Sequence, residues 1–411
     1  VKDERVTQLS LLRDISISTV RGQFHRISDG GAVLTNYDFK YVLPDKNPIT
    51  NKYQELQFIV DATNNMPPSN IHVLIGNNGI GKTTIIKGML NALLINNSEN
   101  KYGRIETGWG SSFANIVNIS FSAFDDPICK EDVDNKDIPY TYIGLIYAKY
   151  DESGERKRVA KYDQLPATFF ENYYSIIKSS TKRELWKRSI YILETDNTFK
   201  ELEILTWDTI CPELYNEIQA GFPMHVGETK LQYKKRLDEE YFKWIIKEHF
   251  GRLSSGHKNI LLTLVSLINN VEEKTLVILD EPEEHLHPPL VSAFIRALSD
   301  LLTYRNGVAI IASHSPVIVQ EVPKKCVWKI RRNGTYRLFD RPIIETFGEN
   351  LGEITTEVFN YDIANSGFHA LLQQASKKYS SYEQALSCFN NELGNEAKSI
   401  LMSYMYDKEK L

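Results

Sequence analysis

The sequence predicts an α/β protein: a mainly parallel sheet joined to an antiparallel β subdomain, with a helical insertion and a helical C-terminal region. Three observations carry this. From residue 249 onward, strand-like apolar runs alternate with helix-spaced ones, the pattern of a parallel sheet built by crossovers. Over residues 14–61, short runs such as Ile15-Ser16-Ile17 and Leu56-Gln57-Phe58-Ile59-Val60 are separated by polar turns such as Ser28-Asp29-Gly30-Gly31, the pattern of antiparallel strands. From about 346 the chain reads as helix, with Leu371, Leu372, Ala385, Leu386, Phe389, Leu393, Ala397, Ile400, Leu401 and Tyr404 at helical spacings.

Element by element, Ile71–Ile75 is a compact buried strand. It is followed over Lys82–Leu94 by Ile85, Ile86, Met89, Leu90, Leu93 and Leu94 on one helical face. A further strand is expected at Asn118–Ser122. Between Tyr142 and Tyr162, two strand-like runs flank Glu152-Ser153-Gly154, a hairpin turn. Residues 163–248 mix aromatic and charged residues and are read as mainly helical; their basic clusters, at 182–188 and 234–236, are read as solvated helix faces. A helix follows Leu253, a strand covers Thr275–Leu279, a helix spans Leu290–Leu302 and a strand covers Val308–Ala312. The expected organisation is therefore an N-terminal lobe over 1–130, an inserted arm over 131–248, a C-terminal lobe over 249–345 and a helical region over 346–411.

Bulk properties narrow the class. With 411 residues, 25% of them charged, and a formal net charge of −5, the chain is an ordinary globular protein and not a polycation that coats nucleic acid. Its four cysteines, Cys129, Cys211, Cys326 and Cys388, lack CxxC spacing, so neither a zinc ribbon nor a disulfide framework is indicated. The longest apolar stretch, Ile260–Ile268, is interrupted by Thr263 and Ser266 and is too short to span a bilayer. The first residues are partly basic without a secretory apolar core, and a cytoplasmic location with no membrane partner is expected.

Residues 76–83, Gly-Asn-Asn-Gly-Ile-Gly-Lys-Thr, match GxxxxGK[ST] between a buried strand and an amphipathic helix. Gly76, Gly79 and Gly81 let the backbone curl so that its N–H groups converge on phosphate oxygens, and the helix N-terminus favours the anion. Lys82 would meet the β and γ phosphates of ATP, and the Thr83 hydroxyl would ligate Mg²⁺. Asn78, Gly79, Gly81, Lys82, Thr83 and Thr84 are the candidate nucleotide contacts.

Leu276-Val277-Ile278-Leu279-Asp280-Glu281 is a buried strand ending in two carboxylates. Asp280 is a candidate second Mg²⁺ ligand, and Glu281 is placed to polarise the water that attacks the γ-phosphate. Leu253-Ser254-Ser255-Gly256-His257 offers a hydroxyl, Ser254, and a close-approach glycine, Gly256, at a helix N-terminus. Ala312-Ser313-His314-Ser315-Pro316 ends the next strand, and His314 is a candidate γ-phosphate contact.

These four motifs, in this order, resemble those of the ABC-type ATPases of the RecF, SMC and OLD group. Leu253–His257 is similar to the LSGGQ signature, with Ser for the first Gly and His for Gln. Asp280-Glu281-Pro282-Glu283-Glu284-His285-Leu286-His287-Pro288 is similar to the DEPExxLHP hallmark of the OLD-like branch. More narrowly, Leu-Ser-Ser-Gly-His-Lys and the stretch Phe347-Gly348-Glu349-Asn350 resemble the ATPase subunit of Septu-type antiphage systems, which also serves some retrons. The resemblance implies an ABC-ATPase head that sandwiches ATP between two copies, so that Ser254 and Gly256 of one chain complete the site of the other in a homodimer or higher homo-oligomer. It further implies a sensor or regulator of a separate HNH-type nuclease effector, with nucleic acid as a further partner to be considered. A repair or chromosome-maintenance ATPase acting directly on DNA is the second reading and a bifunctional OLD-type nuclease the third; the tail shows no clear acidic Toprim pattern. The sequence departs from the family in two places. No Gln follows the strand Asn118–Ser122, where Ser122, Asp125 or Asp126 would substitute, and no adenine-stacking residue is evident. With about 170 residues between the glycine-rich loop and Leu253, and no sustained heptads, long coiled-coil arms are excluded.

Overall fold

A computed structural model describes residues 35–409, other than 62–65, 96–99, 109–111, 123–124, 136, 161–163, 210, 334–335, 364–366 and 391. The expected strand at Ile15–Ile17 and the turn at Ser28–Gly31 lie outside the described residues. The chain divides into two compact units, 1–348 and 349–411.

In the first unit, β1 (Tyr37–Lys46), β2 (Tyr53–Val60) and β4 (Arg104–Thr107) form an antiparallel sheet in the order β2-β1-β4. Along β2, burial alternates residue by residue, so Leu56, Phe58 and Val60 face inward and Ile59 faces out. The central sheet has seven strands. They are β3 (Ile71–Ile75), β5 (Asn115–Ser120), β6 (Tyr140–Gly144), β9 (Thr275–Asp280), β10 (Val308–Ser313), β11 (Val327–Asn333) and β12 (Tyr336–Asp340), in the order β12-β11-β3-β10-β9-β5-β6. All pairs are parallel except β11–β12, which is antiparallel. β6 falls within the segment 131–248, yet it pairs with β5 in this sheet. The hairpin β7 (Ile146–Tyr150) and β8 (Arg156–Ala160) turns around Asp151–Glu155, as its Ser-Gly pair predicts.

Strands of a parallel sheet need apolar cover on both faces. Helix α1 (Lys82–Leu94) supplies part of it. Its Ile85, Ile86, Met89 and Leu90 join Tyr37, Phe39, Leu56 and Phe58 of the antiparallel sheet and Leu74, Leu276, Ile278 and Ile310 of the central one in a single cluster. Val277 and Leu279 lie one residue out of phase on β9 and are equally buried, so they point to the opposite face.

Helices α2 (Leu165–Lys178), α3 (Ser180–Leu193), α4 (Asn197–Lys200), α5 (Pro212–Ala220) and α6 (Lys230–Arg252) make up the helical part of the inserted segment. Its core is aromatic: Phe169 stacks on Tyr173 and Phe250, and Trp207 meets Phe169 edge-on. Much of the basic cluster at 182–188 is committed locally. Arg183 pairs with Asp208, Arg188 with Asp300 at 2.5 Å, and the Lys182 ammonium donates to Asn269 at 2.9 Å. Next come α7 (Ser255–Asn270), α8 (Pro288–Arg305) and α9 (Pro316–Gln320).

In the second unit, α10 (Leu351–Ile363) is followed by α11 (Phe368–Lys378), α12 (Tyr382–Ser387) and α13 (Asn395–Glu409). Leu372, Ala375, Ala385, Leu401 and Met405 form a small core flanked by Phe389, Leu393, Ala397, Ile400 and Tyr404. Leu371, at helical spacing with this set, is instead exposed. Among the described residues, no helix is long and apolar enough to cross a membrane.

Candidate nucleotide-binding site

The site is built where parallel strands end. β3 runs into residues 76–83, and the chain turns through Gly79 and Gly81 at φ of 74° and 97°, left-handed values that only glycine adopts without strain. Gly76 is needed for a different reason: a Cβ there would lie 2.6 Å from the Ile330 carbonyl of β11. No side chain caps α1, so the N–H groups of its first turn are left for a ligand. Asn78, Gly79 and Thr84 are exposed, and Thr83 is half-buried. The Lys82 side chain is only 4% exposed; its ammonium donates to the carbonyls of Gly76 at 2.9 Å and Asn77 at 3.2 Å, and lies 3.6 Å from Glu281 Oε1.

β9 delivers Asp280 beside Thr83, whose hydroxyl hydrogen-bonds to the carboxylate. Burial, reinforced by the negative charges of Glu281 and Asp125, pushes the Asp280 carboxyl up from 3.8 to about 6. Asp280 Oδ1 is buried without a hydrogen-bond partner among the described residues. One hydroxyl and one under-partnered carboxylate fit a hard cation such as Mg²⁺, which keeps water and phosphate oxygens as its remaining ligands. Among the described residues, no group of three or more His, Cys, Asp or Glu side chains forms a self-sufficient metal site.

Beyond Asp280 the backbone bends sharply. Glu281 has φ 48° and His285 φ 66°, and the Glu281 N–H donates to the Ala312 carbonyl of β10 at 2.9 Å. His314 Nδ1, at the end of β10, lies 3.6 Å from Glu281 Oε1 and 3.4 Å from Glu283 Oε1. Glu283 is nearly buried. Its Oε1 accepts from the Ser313 hydroxyl at 2.6 Å and the His314 N–H at 2.9 Å, tying the acidic loop to the histidine loop. Lys82, Thr83, Asp280, Glu281 and His314 thus come together.

Ser254 and Gly256 are not drawn into that group. Ser254 is exposed and caps α7, its hydroxyl accepting from the His257 N–H at 3.2 Å. Gly256 presses on the loop after the acidic pair, where a Cβ would lie 2.4 Å from the His285 carbonyl.

Of the three substitutes for the missing Gln, Asp125 is the one whose charge acts on Asp280. It is buried, accepts from the Tyr142 hydroxyl at 2.9 Å and lies 3.2 Å from the Lys87 ammonium. Asp126 instead pairs with Arg156 at 2.6 Å. The Ser122 carbonyl accepts from the Asp125 N–H at 3.3 Å.

Sequence reasoning missed three residues. Glu283 stood inside the hallmark run without a role of its own. Asp196 hydrogen-bonds His287 Nε2 at 2.6 Å from the middle of the inserted segment, and Arg337 lies against Gly81 from β12. Nothing in local sequence links either to the site.

A phosphate loop, an acidic strand end and a histidine strand end on one mainly parallel sheet, with an antiparallel β subdomain beside it, define a P-loop ATPase of the ABC type. The chain belongs to the AAA_21 family, described as "AAA domain, putative AbiEii toxin, Type IV TA system", whose model matches residues 71–320. It is 37% identical over 426 residues to protein ea59 of Escherichia phage lambda, covering 100% of this chain and 76% of that protein. Among solved structures, cbiO1 from Clostridium perfringens, part of the ABC transporter complex cbiONQ, aligns at 15% identity and TM-score 0.32, over 80% of this chain and 95% of that one. UvrA2 from Deinococcus radiodurans aligns at 12% identity and TM-score 0.31, over 72% and 35%.

Proposed function

We propose that this chain binds and hydrolyses ATP between two copies of itself, and that the closing and opening of this pair regulates a separate nuclease effector in defence against phage. The observation that carries the ATPase reading is the convergence of Lys82, Thr83, Asp280, Glu281 and His314 at the ends of β3, β9 and β10. In it, Lys82 and the first-turn N–H groups of α1 hold the phosphates, and Thr83 and Asp280 hold Mg²⁺. Glu281 accepts the proton of the attacking water, with His314 beside it. The dimer reading is supported by the exposed Ser254, which is not drawn into the site of its own chain and would reach the γ-phosphate of a partner's nucleotide. ATP then acts as the glue of the pair, and hydrolysis releases it.

The defence role rests on different support. The sequence resemblance to Septu-type systems supports it, and the family description names a putative AbiEii toxin of a Type IV toxin–antitoxin system. The effector is taken to be HNH-type on the sequence resemblance alone. The test is twofold. ATPase activity of the purified chain should vanish in Lys82→Ala, and an affinity-tagged chain in its native host should retain a nuclease whose recovery differs between ATP and ADP. Absence of ATPase activity in the wild type sinks the first half, and recovery of no nuclease, or of one that does not differ between ATP and ADP, sinks the second.

A further inference from the structure

The β11–β12 hairpin lies at the edge of the central sheet, on the side of β3 away from β9. From it Arg337 reaches back to the phosphate loop. A Cβ placed on Gly81 would lie 2.4 Å from Arg337 Nη2, 2.7 Å from Cζ and 2.9 Å from Nε. Three guanidinium atoms this near mean that the group packs directly against the Gly81 Cα. The strand is held in position, because Gln54 of β2 donates to the Arg337 carbonyl at 2.9 Å.

This placement is unfavourable without an anion. Gly81 is the N-cap of α1, where the helix macrodipole favours negative charge and repels positive charge. Lys82, the next residue, already adds one cation there. Lys82 has Glu281 at 3.6 Å, whereas Arg337 has no carboxylate within ion-pair distance among the described residues. A guanidinium and an ammonium crowded onto one helix N-terminus call for a polyanion, and a planar fork of N–H donors matches phosphate oxygens.

We infer that Arg337 is a second cation of the phosphate site, contacting the α and β phosphates of the nucleotide from the side of the loop opposite Glu281. The assignment rests on the ATP-binding reading above. Lys82 and Glu281 mark the γ end, toward β9 and β10. Arg337 enters from β12, across β3, and so meets the nucleoside-proximal phosphates in the same chain. Tyr41 and Gln54 of the antiparallel sheet flank it.

Calorimetric titration with ATP, ADP and inorganic tripolyphosphate, each with Mg²⁺, tests this. A charge-assisted pair is worth about 10–100-fold in affinity. Arg337→Ala should weaken ATP and ADP by the same factor in that range and weaken tripolyphosphate as well. Arg337→Lys should recover part of the loss, and the nucleotide-free melting temperature should not fall below the wild-type value in either variant. Unchanged affinities overturn the inference. So does a loss confined to ATP, which would make Arg337 a γ-phosphate reader, or a loss for ATP and ADP that spares tripolyphosphate, which would make it a base-stacking group. A lowered melting temperature with no rescue by Lys would make it a brace for the hairpin. Wild-type protein that binds neither nucleotide would strike down the ATP-binding reading itself.

Discussion

Two loops of this protein follow buried parallel strands of one sheet and meet at one site, yet they bend by opposite means. The phosphate loop after β3 takes its left-handed turns at Gly79 and Gly81. The loop after β9 takes them at Glu281 and His285, which carry side chains. A left-handed residue other than glycine costs about 1–2 kcal/mol. The difference reflects what each loop offers its ligand. The first presents backbone N–H groups, so a side chain at the bend would be an obstacle. The second must present a carboxylate at the bend itself, and the fold absorbs the strain through the Glu281 N–H bond to Ala312 and the Glu283 clamp on Ser313 and His314.

The comparison can be broken most severely at the charges. Lys82→Ala should abolish ATP binding, read by calorimetry, because the backbone cradle alone does not neutralise the phosphates. Glu281→Gln should keep ATP binding but slow hydrolysis by about 10²–10⁴-fold and favour the ATP-closed dimer, read by turnover assay and gel filtration. Wild-type turnover in that variant would remove Glu281 from the chemistry. Mixing inactive Ser254→Arg with inactive Lys82→Ala chains should restore partial activity, since the mixed dimer keeps one intact site. No recovery despite mixed dimers would mean that both sites must fire or that neither is shared.

A smaller effect concerns pH. Because the Asp280 carboxyl is raised from 3.8 to about 6 in the fold, the nucleotide-free protein is favoured by its protonation and loses that contribution as pH rises between about 4 and about 6. The loss is at most about 3 kcal/mol. Asp280→Asn should flatten this part of the melting-temperature profile and stabilise the nucleotide-free protein near neutral pH, while ending Mg²⁺-dependent hydrolysis. A profile parallel to wild type would mean that Asp280 is ionised throughout. The smallest effect isolates the strain. Glu281→Gly should raise nucleotide-free stability by up to about 1 kcal/mol, which Glu281→Gln should not, because Gly relieves the φ of 48° and Gln keeps it. Equal melting temperatures would show that the bend costs nothing.

Much of this contrast was legible in the sequence. The strand ending in Asp280-Glu281, the helix from Lys82 and the His314 strand end are contiguous patterns, and hydrophobic period and glycine spacing reveal them directly. The turn at Glu152–Gly154 and the parallel arrangement were legible for the same reason. β6 was not, since Tyr140-Thr141-Tyr142-Ile143 is half-buried at a sheet edge and has the composition of the polar segment around it. The bend at Glu281 was hidden because nothing in Asp-Glu-Pro-Glu signals a left-handed residue. Glu283, Asp125 and Arg337 act through partners 30 or more residues away in most cases, and a single sequence carries no mark of such pairings.

The Asp196–His287 hydrogen bond gives the inserted segment a foothold in the loop that follows the acidic pair. Asp196 also accepts from the Phe199 N–H at 3.0 Å and the Thr198 hydroxyl at 2.6 Å, so one carboxylate both caps α4 and grips the loop that begins at Glu281. Arg188 fastens the same segment to Asp300 on α8, the helix that His287 opens. The segment is therefore a yoke across both ends of one stretch of chain. If nucleotide moves this loop relative to the arm, the motion must either part the carboxylate from His287 or uncap α4, and in both cases it is felt in the arm.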